Sequence, residues 1–500
     1  MNSQTTGNPP EPLDRTAGTP AGDRRRTRRA VLAGVGEARN HPGDGDPLTD
    51  ATALAARAVA AAAVDAGSAG ILDSVGIVAM PVGSDDAPDP AGALTEALGL
   101  DNTATMVAAI GVPQQRLVSN AILAVETGAA DAVLVVGSEA KASALAAKRA
   151  GQVPPGVSNG PGATFPLAPS GEFMADAEVA AMLWDPVVQY AMIDSALARH
   201  EGDSPTQLST DVSELWARFD SVAASNPEAC FSGPPHTAES LATSSDDNRL
   251  LAFPYNKWHS TQWALDHAAA LLVSTEEVAR ANGADRDHLL HPHVALDSSF
   301  GLTLSRRAEP HRWPAIGVMG DAAAEHLGHP VSEIDLVELY SCFPASVRLQ
   351  QRELGFPLDG TPTLLGGMPF AGGPFNHFTY MATAEVARRL RAGHGAQGLV
   401  TTVSGLLTKA GLTVWGRDPV PGGAMVADLA ADVQQATGTR DVASFDESVD
   451  LDSAGDVLAA TITGGFDPKL FALTEDRDRV RRLVAEPVPD GDPAATLADL

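Results

Sequence analysis

Cysteine is nearly absent from this 500-residue chain, which has only Cys230 and Cys342. Two thiols make no disulfide framework, so a reducing cytoplasm is the expected setting. Aromatic residues are scarce at 5%, with four tyrosines in all. That favours Ala-rich helices packed closely on sheets over an aromatic-rich β-sandwich. Positive charge is also short, with 34 Lys and Arg against 63 Asp and Glu and a net charge of −29. So acidic a surface repels phosphate backbones and anionic lipid, which counts against nucleic acid and membrane-surface partners. An acyl-CoA or nucleotide stays admissible, because a small local basic patch would serve it. No apolar run approaches the ~20 residues of a membrane-spanning helix, so no membrane span is expected.

What is present is a large apolar fraction, 44%, which rules out global disorder. At roughly 100–200 residues per domain the length suggests about three domains. Arg28-Arg29 before Ala-Val-Leu-Ala-Gly-Val-Gly faintly resembles a twin-arginine export signal. The apolar stretch ends at Glu37 without a small-residue cleavage site, so it reads instead as a first strand on Val31, Leu32 and Val35, with Gly34 and Gly36 at a turn. Residues 1–28, rich in Pro, Gly, Thr and Arg, read as a disordered tail.

From there the chain alternates. A helix is predicted at 50–66, a strand at 70–80, a helix at 113–128 and a buried strand at 132–137. Residues 151–245 change texture to Pro/Gly clusters and helices at 185–199 and 208–225, an insertion within the α/β pattern. Helices follow at 264–272, 322–327 and 381–391, and strands at 294–296, 334–339 and 398–403. An N-terminal half at 29–150 and a C-terminal half at 246–425 thus flank the insertion. Residues 426–500 read as a small appended domain, with 14 acidic against 5 basic residues from 441 onward.

Three Gly-rich stretches fall where strands end, at 137–140, 366–377 and 403–409. In open α/β sheets ligands bind beyond the carboxyl ends of strands, and a following helix N-terminus can hold an anionic or carbonyl oxygen. None of the stretches is a Walker loop or GxGxxG, and there is no GxSxG elbow. Cys342 closes another strand beside Tyr340. A free cysteine is most often a small buried hydrophobe, and the strand-end position argues for more. His288, His291 and His293 are interrupted by Pro292 and completed by no carboxylate or Cys, so no metal site is expected.

In this order the segments resemble the thiolase superfamily, in particular the sterol-carrier-protein-type thiolases and acetyl-CoA acetyltransferase-like proteins, over residues 29–425. Residues 126–139 resemble the family's "TG…D…GGxES" segment and 265–274 its "NDGAAA…S" helix. Tyr340-Ser341-Cys342-Phe343 falls on the "NEAF/HDCF" loop, 366–374 on "GGxxAxGHP", and Val403-Ser404-Gly405 on "CxG". The resemblance implies a five-layer αβαβα fold of two similar halves, with a helical loop domain over bound CoA. The chemical residues depart from the pattern. The nucleophilic Cys falls near Gly111 and Val112, the "GHP" His on Gly373, the "CxG" Cys on Val403, and the loop Asn or His on Tyr340. Cys342 matches the "HDCF" cysteine, an acid/base in that family.

The resemblance therefore implies a protein that binds CoA or acyl-CoA as substrate or ligand, without another cofactor, acting in lipid metabolism with ordinary thiolysis weak or absent. Candidate catalytic residues are Tyr340, Cys342, His377 and Ser404; candidate binding residues are Gly111, Gly372, Gly373 and Asn376. The phosphates and adenine of CoA are expected on the 151–245 insertion. Proton removal, decarboxylation or a retro-aldol step stays open, as do a non-catalytic acyl-CoA or lipid binder and a partner subunit docking through the C-terminal domain. The chain is expected as a homodimer or monomer.

Overall fold

The structure, a computed structural model, describes residues 28–231, 233–488 and 491–500. The expected tail lies outside the described residues except for Arg28. Strand β1 (Ala30–Asn40) opens the first half, followed by α1 (Ala51–Asp65), β2 (Val75–Pro81), α2 (Pro90–Leu98), β3 (Ala104–Ala108), α3 (Gln114–Thr127) and β4 (Ala132–Ala140). Asp50 caps α1, its carboxylate accepting the Ala53 N–H at 2.8 Å. The turn expected at Gly34 and Gly36 does not form; β1 continues through both, with a bulge between Leu32 and Gly34 in its pairing with the neighbouring strand. A Cβ on Gly36 would lie 2.2 Å from Ala58 O and 2.3 Å from Ala62 N. These glycines let the α1 backbone lie directly on the strand.

Helix α4 (Lys141–Arg149) and the short β5 (Phe165–Leu167) lead into α5 (Asp176–Ala180), α6 (Pro186–Glu201), α7 (Pro205–Ser225) and α8 (Ala238–Ala242). A two-stranded pair, β6 (Leu250–Ala252) and β7 (Tyr255–Asn256), follows. The helix expected at 264–272 is instead strand β8 (Asp266–Thr275), antiparallel to both β1 and β4. Every residue of β8 is buried, so its apolar run carries no period to separate helix from strand. Its alanines reflect close packing by α1 and α12.

The second half comprises α9 (Glu276–Ala281), β9 (His291–Asp297), α10 (Pro314–Leu327), β10 (Leu336–Glu338), α11 (Pro344–Leu354), α12 (Phe378–Arg391), β11 (Gln397–Ser404) and β12 (Lys409–Gly416). Strand β13 (Met425–Asp428) pairs with β9 and α13 (Ala430–Ala436) packs on α10, so this half runs past residue 425. Strands β14 (Asp456–Ile462), β15 (Lys469–Glu475) and β16 (Arg481–Pro487) form a separate antiparallel sheet, and α14 (Pro493–Ala498) contributes Leu497 to its small core.

The first sheet has the order β1-β8-β4-β2-β3-β5 and the second β10-β11-β12-β9-β13. Four strands correspond one to one: β1, β8, β4 and β2 repeat as β9, β12, β11 and β10, with the same parallel and antiparallel pairings. The halves are thus alike in topology, although the sequence has no quotable residue repeat. Helices α3 and α12 touch both sheets and lie between them. Helix α1 does not lie between the sheets. It lies on the outer face of the first sheet, with Val64 72% exposed on its far side. Strand β4 shows why its apolar run is continuous: Val133 and Val135 join the core around α3, while Ala132, Leu134 and Val136 join the core under α1. Among the described residues no helix is long and apolar enough to cross a membrane.

Because the backbone of α1 leaves no room for a Cβ, Gly36→Ala should destabilise the protein by about 3 kcal/mol, as severe overpacking does. A urea midpoint equal to that of the wild type would contradict this packing.

Candidate functional site

A cavity of about 710 Å³ opens where the two halves meet. Its wall takes Gly111 from the turn before α3, Tyr340 and Cys342 from the loop after β10, Gly373 and Asn376 from the loop before α12, and Val403 and Ser404 from the end of β11. Strand ends and the N-termini of α3 and α12 therefore converge there, as expected of open α/β sheets. Six of the eight residues singled out in the sequence line this wall; Gly372 and His377 do not. Gly372 sits against Cys230, which is half-buried and whose N–H donates to Ala371 O at 2.8 Å. Neither cysteine expected of a thiolase stands on the wall, where positions 111 and 403 carry Gly and Val.

Sequence reasoning missed two residues here. Gln114 begins α3, and its side-chain carbonyl accepts the Thr379 N–H at 2.9 Å while its amide reaches Tyr340 Oη at 3.4 Å. Tyr190 comes from α6, stacks on Phe343 with centroids 4.5 Å apart, and hydrogen-bonds the Cys342 thiol. No local signal marks either; a glutamine at a helix start and a tyrosine in an insertion are ordinary until the fold brings them together. Burial pushes Cys342 up to about 11, against the hydrogen bonds from Tyr190 and Ser346. Burial likewise raises Tyr340, helped by the neighbouring thiol. At neutral pH both groups hold their protons, which suits proton donation and not thiolate attack.

His377 lies behind the wall. Its Nε2 is 3.1 Å from His267 Nδ1, and His267 Nε2 is 3.0 Å from Glu37 Oε1. Burial works to raise Glu37, but the hydrogen bond with His267 and the Arg388 and Arg39 charges outweigh it and hold the carboxylate at about 2. Burial, then His267, drives His377 well below the usual imidazole range. Gly137 of β4 makes room for this histidine, since a Cβ there would fall 2.1 Å from His377 Cβ. Beside His267 in the sheet register, Glu139 is raised to about 7 by burial, against hydrogen bonds from Ser84.

The wall is largely apolar, and Asp185 and Arg249 are its two charged residues. From the insertion come Phe173, Pro186, Val187, Val188 and Tyr190 with Asp185, and no cation. His288, His291 and His293 do not converge: His288 lies 3.3 Å from Asp65, and His293 is 2.7 Å from Asp418 O. Among the described residues no group of three His, Cys, Asp or Glu is placed to hold a metal ion.

The architecture is that of the thiolases, as the sequence resemblance implied. The chain superposes on the monomeric SCP2-thiolase-like protein type 1 of Mycobacterium smegmatis with a TM-score of 0.75 and 23% identity, over 92% of this chain and 93% of that one. It matches the Ltp2-ChsH2(DUF35) aldolase with a TM-score of 0.59 and 22% identity, over 78% and 98% of the two chains. For the dimeric peroxisomal thiolase of Saccharomyces cerevisiae the TM-score is 0.54 and the identity 16%, over 79% and 98%. No family model matches the sequence. No curated protein matches it either.

Glu139 predicts a pH effect. A carboxyl whose folded pKa lies at about 7, above its unfolded value, loses stabilisation as pH rises through that range. Glu139→Gln should remove this loss, so the variant should gain on the wild type in melting temperature from pH 4.5 to 8. A difference constant with pH would contradict a protonated Glu139.

Proposed function

We propose that this chain binds an acyl thioester of CoA in the cavity and acts on it without an acyl-enzyme intermediate, by carbon–carbon cleavage of the retro-aldol kind. One observation carries the reading: the wall has no thiol at positions 111 and 403, where thiolysis needs a nucleophile and an acid/base, yet keeps Tyr340 and Cys342 as protonated groups. In a retro-aldol step the β-hydroxyl of the substrate gives up a proton, the Cα–Cβ bond breaks, and the thioester enolate takes up a proton at Cα. The first proton leaves to water in the cavity as the bond breaks, a phenol or thiol that starts protonated supplies the second at Cα, and water then returns a proton to that group, so no proton is consumed overall. The reaction needs no cofactor beyond the thioester. The aldolase among the similar structures supports the choice of reaction class.

The second reading is a non-catalytic acyl-CoA or lipid binder, favoured by the apolar wall and by the absence of a depressed pKa among its tyrosines and Cys342. In either case lipid metabolism is the setting proposed.

The purified protein should bind acyl-CoA in isothermal titration and show no ordinary thiolysis of acetoacetyl-CoA. With 3-hydroxyacyl-CoA substrates, aldehyde or ketone release should fall at least about 100-fold in Tyr340→Phe or Cys342→Ala, the usual scale for losing a proton-transfer group. Thiolysis at ordinary rates, or release undiminished in both variants, would refute the assignment; binding without release would leave the second reading.

A further inference from the structure

One buried charge beside the cavity has no part in the steps above. Lys409 opens β12 opposite Ser404 in the register with β11, and only 5% of it is exposed. Its Nζ donates to Gly111 O at 3.0 Å. Ser404 and Gly111 both line the cavity, so Lys409 stands directly behind the wall and bridges wall segments from the two halves of the fold. Gly301 leaves room for its stem, since a Cβ there would come 3.1 Å from Lys409 Cγ and 3.3 Å from Cε.

What this ammonium lacks is a carboxylate. Among the described residues its hydrogen bond goes to a backbone carbonyl, while Asp297 and Asp428 pair with Arg116. Burial lowers its pKa, and the one charge that adds to this is Arg116, also a cation. Buried charges are ordinarily paired, because an unpaired one is costly. An aliphatic side chain would fill the same space without that cost, and a tie to Gly111 O needs a donor, not a charge. A retro-aldol step does need a charge of this sign. When the Cα–Cβ bond breaks, its electron pair passes to the thioester, and an enolate is left in the cavity.

We propose that Lys409 is the counter-charge of that enolate, stabilising it through the wall at Gly111. The proposal rests on the acyl-thioester reading above. Lys409 does not line the cavity and touches no ligand; its fixed charge acts from behind a largely apolar wall, where screening is weak. It should favour any thioester enolate held there. A 3-oxoacyl thioester is therefore a probe: it loses its α-proton to water, and the enolate absorbs in the near ultraviolet where the neutral form does not.

The test adds acetoacetyl-CoA at neutral pH to the full-length wild type, Lys409→Met and Lys409→Arg, and reads the enolate absorbance of the bound ligand. Acetyl-CoA affinity is measured by calorimetry and folding by thermal melting. The wild type should raise the enolate fraction above that in buffer. In Lys409→Met the enolisation constant of the bound ligand should fall about tenfold, the scale of one weakly screened charge, and Lys409→Arg should keep it. Acetyl-CoA should bind all three alike. Should Lys409→Met not fold, Lys409→Gln keeps a donor without the charge, and the same fall is expected of it. An unchanged enolisation constant in the uncharged variant would overturn the proposal. So would an equal fall in Lys409→Arg, or a fall matched by weaker acetyl-CoA binding, either of which marks a structural tie. If the wild type binds both thioesters without raising the enolate fraction, this proposal alone falls. If it binds neither, the thioester reading falls and takes this proposal with it.

Discussion

The contact on which this molecule depends is the meeting of two helix N-termini between two sheets. The first N–H groups of a helix have no partner within it, and burying them unpaired costs about 1–3 kcal/mol each. At α12 the buried Thr379 N–H finds the side-chain carbonyl of Gln114, and the Tyr380 hydroxyl donates to the Gln114 backbone carbonyl at 3.1 Å. The first half thus completes a helix end of the second, and the second half returns a hydrogen bond to the first turn of α3. The cavity lies immediately beyond, so the interaction that joins the halves also sets the separation of Gly111, Tyr340 and Ser404.

The insertion is tied to this centre by a buried polar network. Asp194 of α6 pairs with Arg348 of α11 and accepts the Tyr255 hydroxyl, which in turn accepts the Ala345 N–H at 3.1 Å. Burial raises Asp194 against the pull of Arg348, a balance that leaves little tolerance for losing one partner. The network holds α6 beside the loop that carries Cys342, which explains how a tyrosine from the insertion comes to hydrogen-bond that thiol. It also holds the surface on which the C-terminal sheet packs.

The cavity's electrostatics follow from the same close packing. Desolvation keeps Tyr340 and Cys342 protonated and His377 neutral, while Glu37 stays ionised only because His267 and two arginines surround it. With Asp185 and Arg249 as its two charged wall residues, the cavity is suited to the apolar acyl portion of the proposed thioester.

Much of this was legible from the residues. Two of the three glycine-rich stretches at strand ends, 366–377 and 403–409, contribute to the wall while 137–140 does not, and the order of motifs over 29–425 identified the architecture. The misreadings share one cause. At 266–275 and around Gly34 and Gly36, small residues are chosen for what packs against them from elsewhere in the chain, and a local pattern of Ala or Gly reads as helix or turn. His377 looked like a cavity residue because it follows Asn376, but α12 begins there and directs it toward His267. By itself the sequence determined most of the alternation of elements and six of the residues that line the wall. Only the tertiary structure decided that Gln114, Tyr190 and the turn at 463–465 join them, because those contacts span up to hundreds of residues and are selected by packing, which no local pattern records.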